Sequence, residues 1–320
     1  MSAADPLATS TTESDGSVAA LQRLVVGVDG SDASGAAVAF AIWLAGTAGA
    51  DLTLLHSCPD LRLAEYAPHT ADPAVLRAAA AHGVAETAEW WRRLRHLGDY
   101  AAEGACVQSR VVRGRPAAAL LEAAAELDSD VILVGSHGVG SLRGRLLGSV
   151  SSQVVDHARC SVMVFHEGQA SSPAHVASVV VGVDGSAGSA AAIVAGRSLA
   201  LALDAKLVLA VAYESTTALA PTAELRAEMR RHAESLLASA RESVATDVEV
   251  IEDAREGEAR QTLVEACERY RPAVLVVGTR GLGGFRGLLV GSTSRWVLNH
   301  APCPVLVARG RSEVEAGCVR

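Results

Sequence analysis

Along the chain, short apolar runs rich in β-branched residues alternate with longer Ala- and Leu-rich segments whose apolar positions recur at helical spacing. A run such as Val131-Ile132-Leu133-Val134 offers no polar face to water, so it belongs to a strand covered on both sides. The pattern predicts strands near 24–28, 52–56, 106–112, 131–135 and 161–166, then near 179–183, 206–212, 247–252, 273–278 and 304–308. Helices are expected near 32–48, 74–97, 116–127 and 149–158, then near 187–203, 222–244, 258–269 and 292–300. Such alternation specifies an α/β fold, here two doubly wound five-stranded parallel-sheet domains in tandem.

The tandem reading comes from an internal repeat. Val25-Val26-Gly27-Val28-Asp29-Gly30-Ser31 reappears 155 positions later as Val180-Val181-Gly182-Val183-Asp184-Gly185-Ser186. Gly135-x-x-Gly138, nine residues, Gly148-Ser149 reappears 143 positions later as Gly278-x-x-Gly281, nine residues, Gly291-Ser292. The second copy is shorter by the difference, 12 residues, between its first strand and its glycine loop. The polar segment from Pro59 to Pro73 is the natural place for that insertion, because lengthening a surface loop costs little. The expected domains are 21–166 and 178–310, with a turn-prone linker at 167–177 and a short tail at 311–320. Residues 1–20 are expected to form a disordered tail, since Met1 to Ser17 has neither the basic start nor the apolar core of a signal peptide.

A net charge of −8 and a pI near 5.7 argue against a nucleic-acid groove and predict a soluble cytoplasmic protein. The uncharged stretch Gly35 to Ala50 is shorter than the roughly 20 apolar residues of a membrane span, so it reads as a buried helix. Lys206 is the only lysine, and no Gly-Lys-Ser/Thr follows a glycine loop, which excludes a P-loop NTPase or a protein kinase. Six cysteines show no Cys-x-x-Cys pair and no zinc spacing, so reduced thiols and no metal site are expected.

In a doubly wound sheet, ligands sit beyond the carboxyl ends of the strands where strand order reverses. Asp29 follows Gly27 at the end of the first strand, and Asp184 follows Gly182; each should meet the glycine loop that ends the fourth strand. In Gly135-Ser136-His137-Gly138-Val139-Gly140-Ser141, glycines 135, 138 and 140 are expected to take positive φ and turn N–H groups into an anion nest. Gly148-Ser149-Val150-Ser151 then opens a helix whose free N–H groups, dipole and hydroxyls suit a phosphate. The second copy offers Gly278, Thr279, Arg280, Gly281, Leu282, Gly283 and Gly284, then Gly291, Ser292, Thr293 and Ser294. Arg143 and Arg286, at matching positions, either add charge-assisted contacts or face solvent.

Asp29 and Asp184 could accept from a ribose hydroxyl or reach a phosphate-bound Mg²⁺, or merely cap the next helix; their recurrence with the loop favours a ligand role. His157 with Cys160, and His300 with Cys303, read as helix-end histidines beside buried cysteines rather than as nucleophile pairs. Trp90-Trp91 reads as packing or an interface anchor. No recurrent general base stands beside the expected γ-phosphate, so no catalytic residue is assigned. A Rossmann dehydrogenase is disfavoured because no Gly-x-Gly-x-x-Gly follows either first strand.

Together the Val-x-Val-Asp-Gly-Ser opening, the Gly-x-x-Gly-x9-Gly-Ser loop and the closing His-Ala-x-Cys-Pro-Val run resemble the universal stress protein family in its tandem form, over about 22–166 and 177–309. The resemblance implies a sheet of order 3-2-1-4-5, of the adenine-nucleotide alpha-hydrolase type, and copies paired through their last strands. It implies ATP, with or without Mg²⁺, lying with adenine against the first two strands, ribose near the Asp and phosphates on the loop. It also implies a homodimer of tandem chains and a regulatory protein partner not named by the sequence. On this reading the chain is a nucleotide sensor in stress adaptation or growth control; the alternatives are a slow ATPase or phosphotransfer enzyme, and an interaction module that binds no nucleotide. ATP and cyclic AMP both remain open, although two hydroxyl-rich helix starts suit a polyphosphate better. The first copy departs from the pattern with His137 where the second has Arg280, and with Cys160-Ser161 in place of Cys-Pro, so tighter binding is expected in the second copy.

Overall fold

The computed structural model describes residues 21–58, 106–138, 147–169, 176–213, 222–282 and 289–310. The expected helix at 74–97, the insertion at 59–73, the Trp90-Trp91 pair and both tails lie outside the described residues. In the first half the strands are β1 (Arg23–Gly27), β2 (Asp51–Cys58), β3 (Val107–Arg113), β4 (Val131–Gly135) and β5 (Ser161–Phe165). Its helices are α1 (Asp32–Ala48), α2 (Pro116–Glu126) and α3 (Ser149–His157). The second half has β6 (Ser178–Gly182), β7 (Lys206–Tyr213), β8 (Val250–Glu256), β9 (Ala273–Gly278) and β10 (Val305–Ala308). Its helices are α4 (Ala187–Leu203), α5 (Ala223–Glu242), α6 (Ala259–Arg269) and α7 (Ser292–His300).

These strands form one ten-stranded sheet of order β3-β2-β1-β4-β5-β10-β9-β6-β7-β8. Each half is parallel and has the order 3-2-1-4-5, as the resemblance implies. The halves join through their last strands, antiparallel, with Leu306 opposite Met163. Two of the shortest strands thereby cover each other's edges, which would otherwise present unpaired backbone groups.

Alternation along each strand feeds both faces of the sheet. Leu24, Val26, Val131 and Leu133 point into a core under α1, α4 and α5, while Val25, Ile132 and Val134 point into a core under α2, α3, α6 and α7. Both cores run through both halves, so neither half buries its apolar surface alone. Helix ends follow local chemistry. Ser31 caps α1 by accepting the Ser34 amide at 3.2 Å, and Ser186 caps α4 by accepting the Ser189 amide at 3.1 Å. Strand β8 is displaced from the expected 247–252 because it pairs with β7 as far as Glu256 opposite Tyr213. It is an edge strand, so polar Glu252, Arg255 and Glu256 are tolerated along it and blur its sequence signal.

Candidate functional site

Strands β1 and β4 are parallel neighbours, which brings Asp29 and the first glycine loop to the same edge of the sheet. After Asp29 the chain turns through Gly30, at φ 85, into the Ser31 cap of α1. Asp29 Oδ1 accepts the Ser31 amide at 3.0 Å and lies 2.7 Å from the Ser31 hydroxyl, which is also 3.1 Å from the His137 carbonyl oxygen. The second half repeats this arrangement. Asp184 Oδ1 accepts the Ser186 amide at 3.0 Å, and the Ser186 hydroxyl donates to the Arg280 carbonyl at 3.2 Å. Asp184 Oδ2 also accepts the Leu282 amide at 3.2 Å. The carboxylates therefore do not cap the helices themselves; they brace the capping serine and the glycine loop against each other.

The loop glycines work differently from the expectation. Gly135, Gly138, Gly278 and Gly281 are not among the positive-φ residues. They are needed for close approach: a Cβ on Gly135 would lie 2.8 Å from the Ser34 amide nitrogen, and one on Gly138 would lie 2.6 Å from Asp29 Oδ2. A Cβ on Gly278 would meet the Gly188 backbone, and one on Gly281 would meet Asp184 Oδ2.

The neck of each loop is closed by two hydrogen bonds. The Gly148 amide donates to the Ser136 carbonyl at 2.7 Å and the Ser151 hydroxyl to the same oxygen at 2.8 Å. In the second half the Gly291 amide donates to the Thr279 carbonyl at 2.7 Å, and the Ser294 hydroxyl donates to the Gly278 carbonyl at 2.7 Å. The hydroxyls of the helix start differ in what they bond. Ser151 and Ser294 face the Ser136 and Gly278 carbonyls, whereas Ser149 and Ser292 stand at the first helical position.

In the first half these groups enclose a cavity of about 400 Å³, bounded by Gly27, Asp29, Gly135, Ser136, Gly138 and the run Gly148, Ser149, Val150, Ser151. Its other wall is Leu55, Ser57, Pro116 and Leu120, four residues to which the sequence pattern assigns no site role. Gly27 is required there, since a Cβ would lie 3.0 Å from Leu120 Cδ1; the matching distance from Gly182 to Leu263 is 3.2 Å. Repeat position could have pointed to this wall, because the cavity-lining Leu120 and its counterpart Leu263, which stand against Gly27 and Gly182 in turn, are 143 residues apart, as the two loops are. The cavity thus has one apolar end and one end of backbone N–H groups at a helix start. In the second half a groove of about 570 Å³ runs from Asp184 and Leu282 to Tyr213, Met229, His232 and Leu236, on the α5 side.

His137 is half-buried with Nδ1 3.0 Å from the Ser136 hydroxyl, while Arg280 is exposed. Val139, Gly140, Ser141, Arg143, Gly283, Gly284 and Arg286 lie outside the described residues. His157 and His300 sit at the ends of α3 and α7, and His300 stacks on Trp296. Desolvation pushes the Cys160 thiol up to about 12, and a contact from the Cys303 thiol together with burial raises Cys267 as well. A thiol held protonated is a poor nucleophile, which agrees with a packing role. Among the described residues no cluster of three or more His, Cys, Asp or Glu is placed to hold a metal, and no helix is long and apolar enough to cross a membrane.

Comparison with known proteins gives one family. Residues 20–166 and 176–309 each match the Universal stress protein family. A universal stress protein of Mycobacterium tuberculosis is 33% identical over 306 residues, covering 89% of this chain and 96% of that one. One from Mycolicibacterium smegmatis is 28% identical over 294 residues, covering 90% and 97%. The crystal structure of a universal stress protein from Archaeoglobus fulgidus superposes with a TM-score of 0.62 at 19% identity, covering 90% and 98%, and shares the fold. The chain therefore belongs to the universal stress protein family and carries two of its domains in tandem.

Proposed function

We propose that the protein binds ATP at its glycine loops and acts as a nucleotide-dependent regulator in stress adaptation or growth control through a protein partner. The observation that carries this reading is the first-half cavity of about 400 Å³, a size ordinary for small ligands (about 300–1,000 Å³), in which Asp29, Gly135, Gly138 and the α3 start converge. The residues fit a nucleotide. Gly27, Gly135 and Gly148 line the cavity, and the start of α3 offers peptide N–H groups and the Ser149 hydroxyl to an anion without any lysine. Leu55 and Leu120 supply an apolar surface for a base.

Binding rather than turnover is supported by the lining itself. Among the described residues lining the cavity, Asp29 is the one titratable side chain, and its carboxylate already accepts from Ser31. To test the proposal, freshly purified protein is denatured and the released nucleotide identified by chromatography and mass. One ATP per loop is the expected result. No released nucleotide, with no heat on titrating Mg-ATP, overturns the proposal, and cyclic AMP in place of ATP changes the ligand class.

A further inference from the structure

We infer that Asn299, on the last turn of α7 in the second half, is a positioning residue for the glycine loop of the first half. Asn299 Oδ1 accepts the Leu147 amide at 2.9 Å, across 152 residues of sequence. Leu147 immediately precedes Gly148, the cap of α3, whose own amide closes the loop neck on the Ser136 carbonyl. The orientation of the Asn299 amide is determined from both ends. Its Nδ2 donates to the Arg295 carbonyl at 2.8 Å, which can only accept, while the Leu147 amide can only donate.

The relationship is one-sided. The repeat position of Asn299 in the first half is Asp156, and Asp156 turns instead to the Arg295 guanidinium, with Nη2 to Oδ1 at 2.5 Å. So α7 holds the stem of the first loop, whereas α3 holds a side chain of α7. Helix α7 begins at Ser292, just after the cap Gly291 at the neck of the second loop, and its nine residues span about 13 Å. One rigid element therefore has the second site at its start and the stem of the first site at its end. The halves stay joined by other contacts when the Asn299 bond is lost. The β5–β10 pairing and the Arg309 guanidinium on the Val155 carbonyl at 2.7 Å remain when Asn299 is changed.

The consequence for affinity rests on the nucleotide-binding reading; the consequence for the loop does not. Without the Asn299 acceptor the stem relaxes and the amides of α3 lose their fixed placement, so nucleotide binding at the first site weakens while the second site keeps its affinity. The test is hydrogen exchange followed by mass spectrometry on the full chain, without nucleotide, for Asn299→Ala and for Asn299→Asp, which keeps an acceptor. Exchange in peptides covering 136–152 should rise about fivefold in Asn299→Ala, the size of one net hydrogen bond, with 279–295 unchanged and a smaller rise in Asn299→Asp, which keeps the acceptor for Leu147 but loses the donor to Arg295. Equal change in both loops, no change in the first, or an Asn299→Asp variant that behaves like Asn299→Ala overturns the inference. Asn299→Ser replaces Asn299→Ala if the latter does not fold. A parent protein that releases no ATP defeats the binding proposal alone, because the exchange pattern is read without nucleotide and still decides the role of Asn299.

Discussion

Asp184 Oδ2 accepts the Leu282 amide at 3.2 Å, so the carboxylate that follows the first strand of the second half holds the loop that follows its fourth. Gly281 lies against the same oxygen, where any Cβ would collide with it, and Gly138 stands in the same relation to Asp29. Carboxylate and glycine form one device: the missing side chain admits the acceptor, and the acceptor fixes the loop backbone.

Asp184→Ala should remove that fixation and weaken ATP at the second loop about tenfold, the loss expected for a hydrogen bond to a charged group. Asp184→Asn keeps one acceptor for the two amides that Asp184 serves, so it should lose less affinity than Asp184→Ala but fall short of the parent protein. Titration calorimetry reads the loss, and hydrogen exchange over 279–295 without nucleotide separates this bracing role from a direct ligand contact, because only loss of the brace loosens the loop when no ligand is present.

Gly135→Ala should destabilise the fold rather than only impair binding. The new Cβ would lie 2.8 Å from the Ser34 amide nitrogen and 2.9 Å from the Ala33 carbonyl carbon, and backbone cannot swing aside as a flexible side chain can. The expected cost is about 1–3 kcal/mol, read from the urea midpoint. An unchanged midpoint would contradict the close packing of α1 on β4.

Stability should fall in alkali through Cys160. Its thiol has a pKa of 9.0 when exposed and about 12 in the fold, so the unfolded chain ionises first. The contribution is fully present below pH 9 and is lost as pH rises toward 12, by about 1.4 kcal/mol per unit. Between pH 8 and about 10.5 the parent protein should therefore lose about 2 kcal/mol more than Cys160→Ser. Equal losses would show that the thiol is already solvated in the native state.

Unfolding should be one cooperative transition, because the sheet and both cores are continuous across the halves. Met163, almost fully buried on β5 opposite Leu306 of β10, tests this. Met163→Ala should cost about 2–5 kcal/mol and lower a single calorimetric midpoint. Two separated transitions in the parent protein would mean that the halves fold independently.

Much of the architecture was legible in the order of residues. Strand periodicity, the offset repeat and the placement of Asp29, Asp184 and both glycine loops at strand ends follow from local pattern, because a strand buried on both faces must be apolar at consecutive positions and a tight approach must be glycine. The purpose of those glycines was not legible. The pattern suggested positive φ, whereas that conformation falls on Gly30 and Gly185 and the loop glycines serve close packing.

What tertiary structure alone decided are the meetings of residues far apart in the chain: Leu55, Ser57, Pro116 and Leu120 around one cavity, Ser151 and Ser294 turned onto the Ser136 and Gly278 carbonyls, and Asn299 on the Leu147 amide. Periodicity records which face of an element is buried and says nothing of its neighbour. Which side chains meet is settled only when helices and strands pack, and two copies with the same local pattern then diverge, as Asp156 and Asn299 do, because their partners across the interface differ.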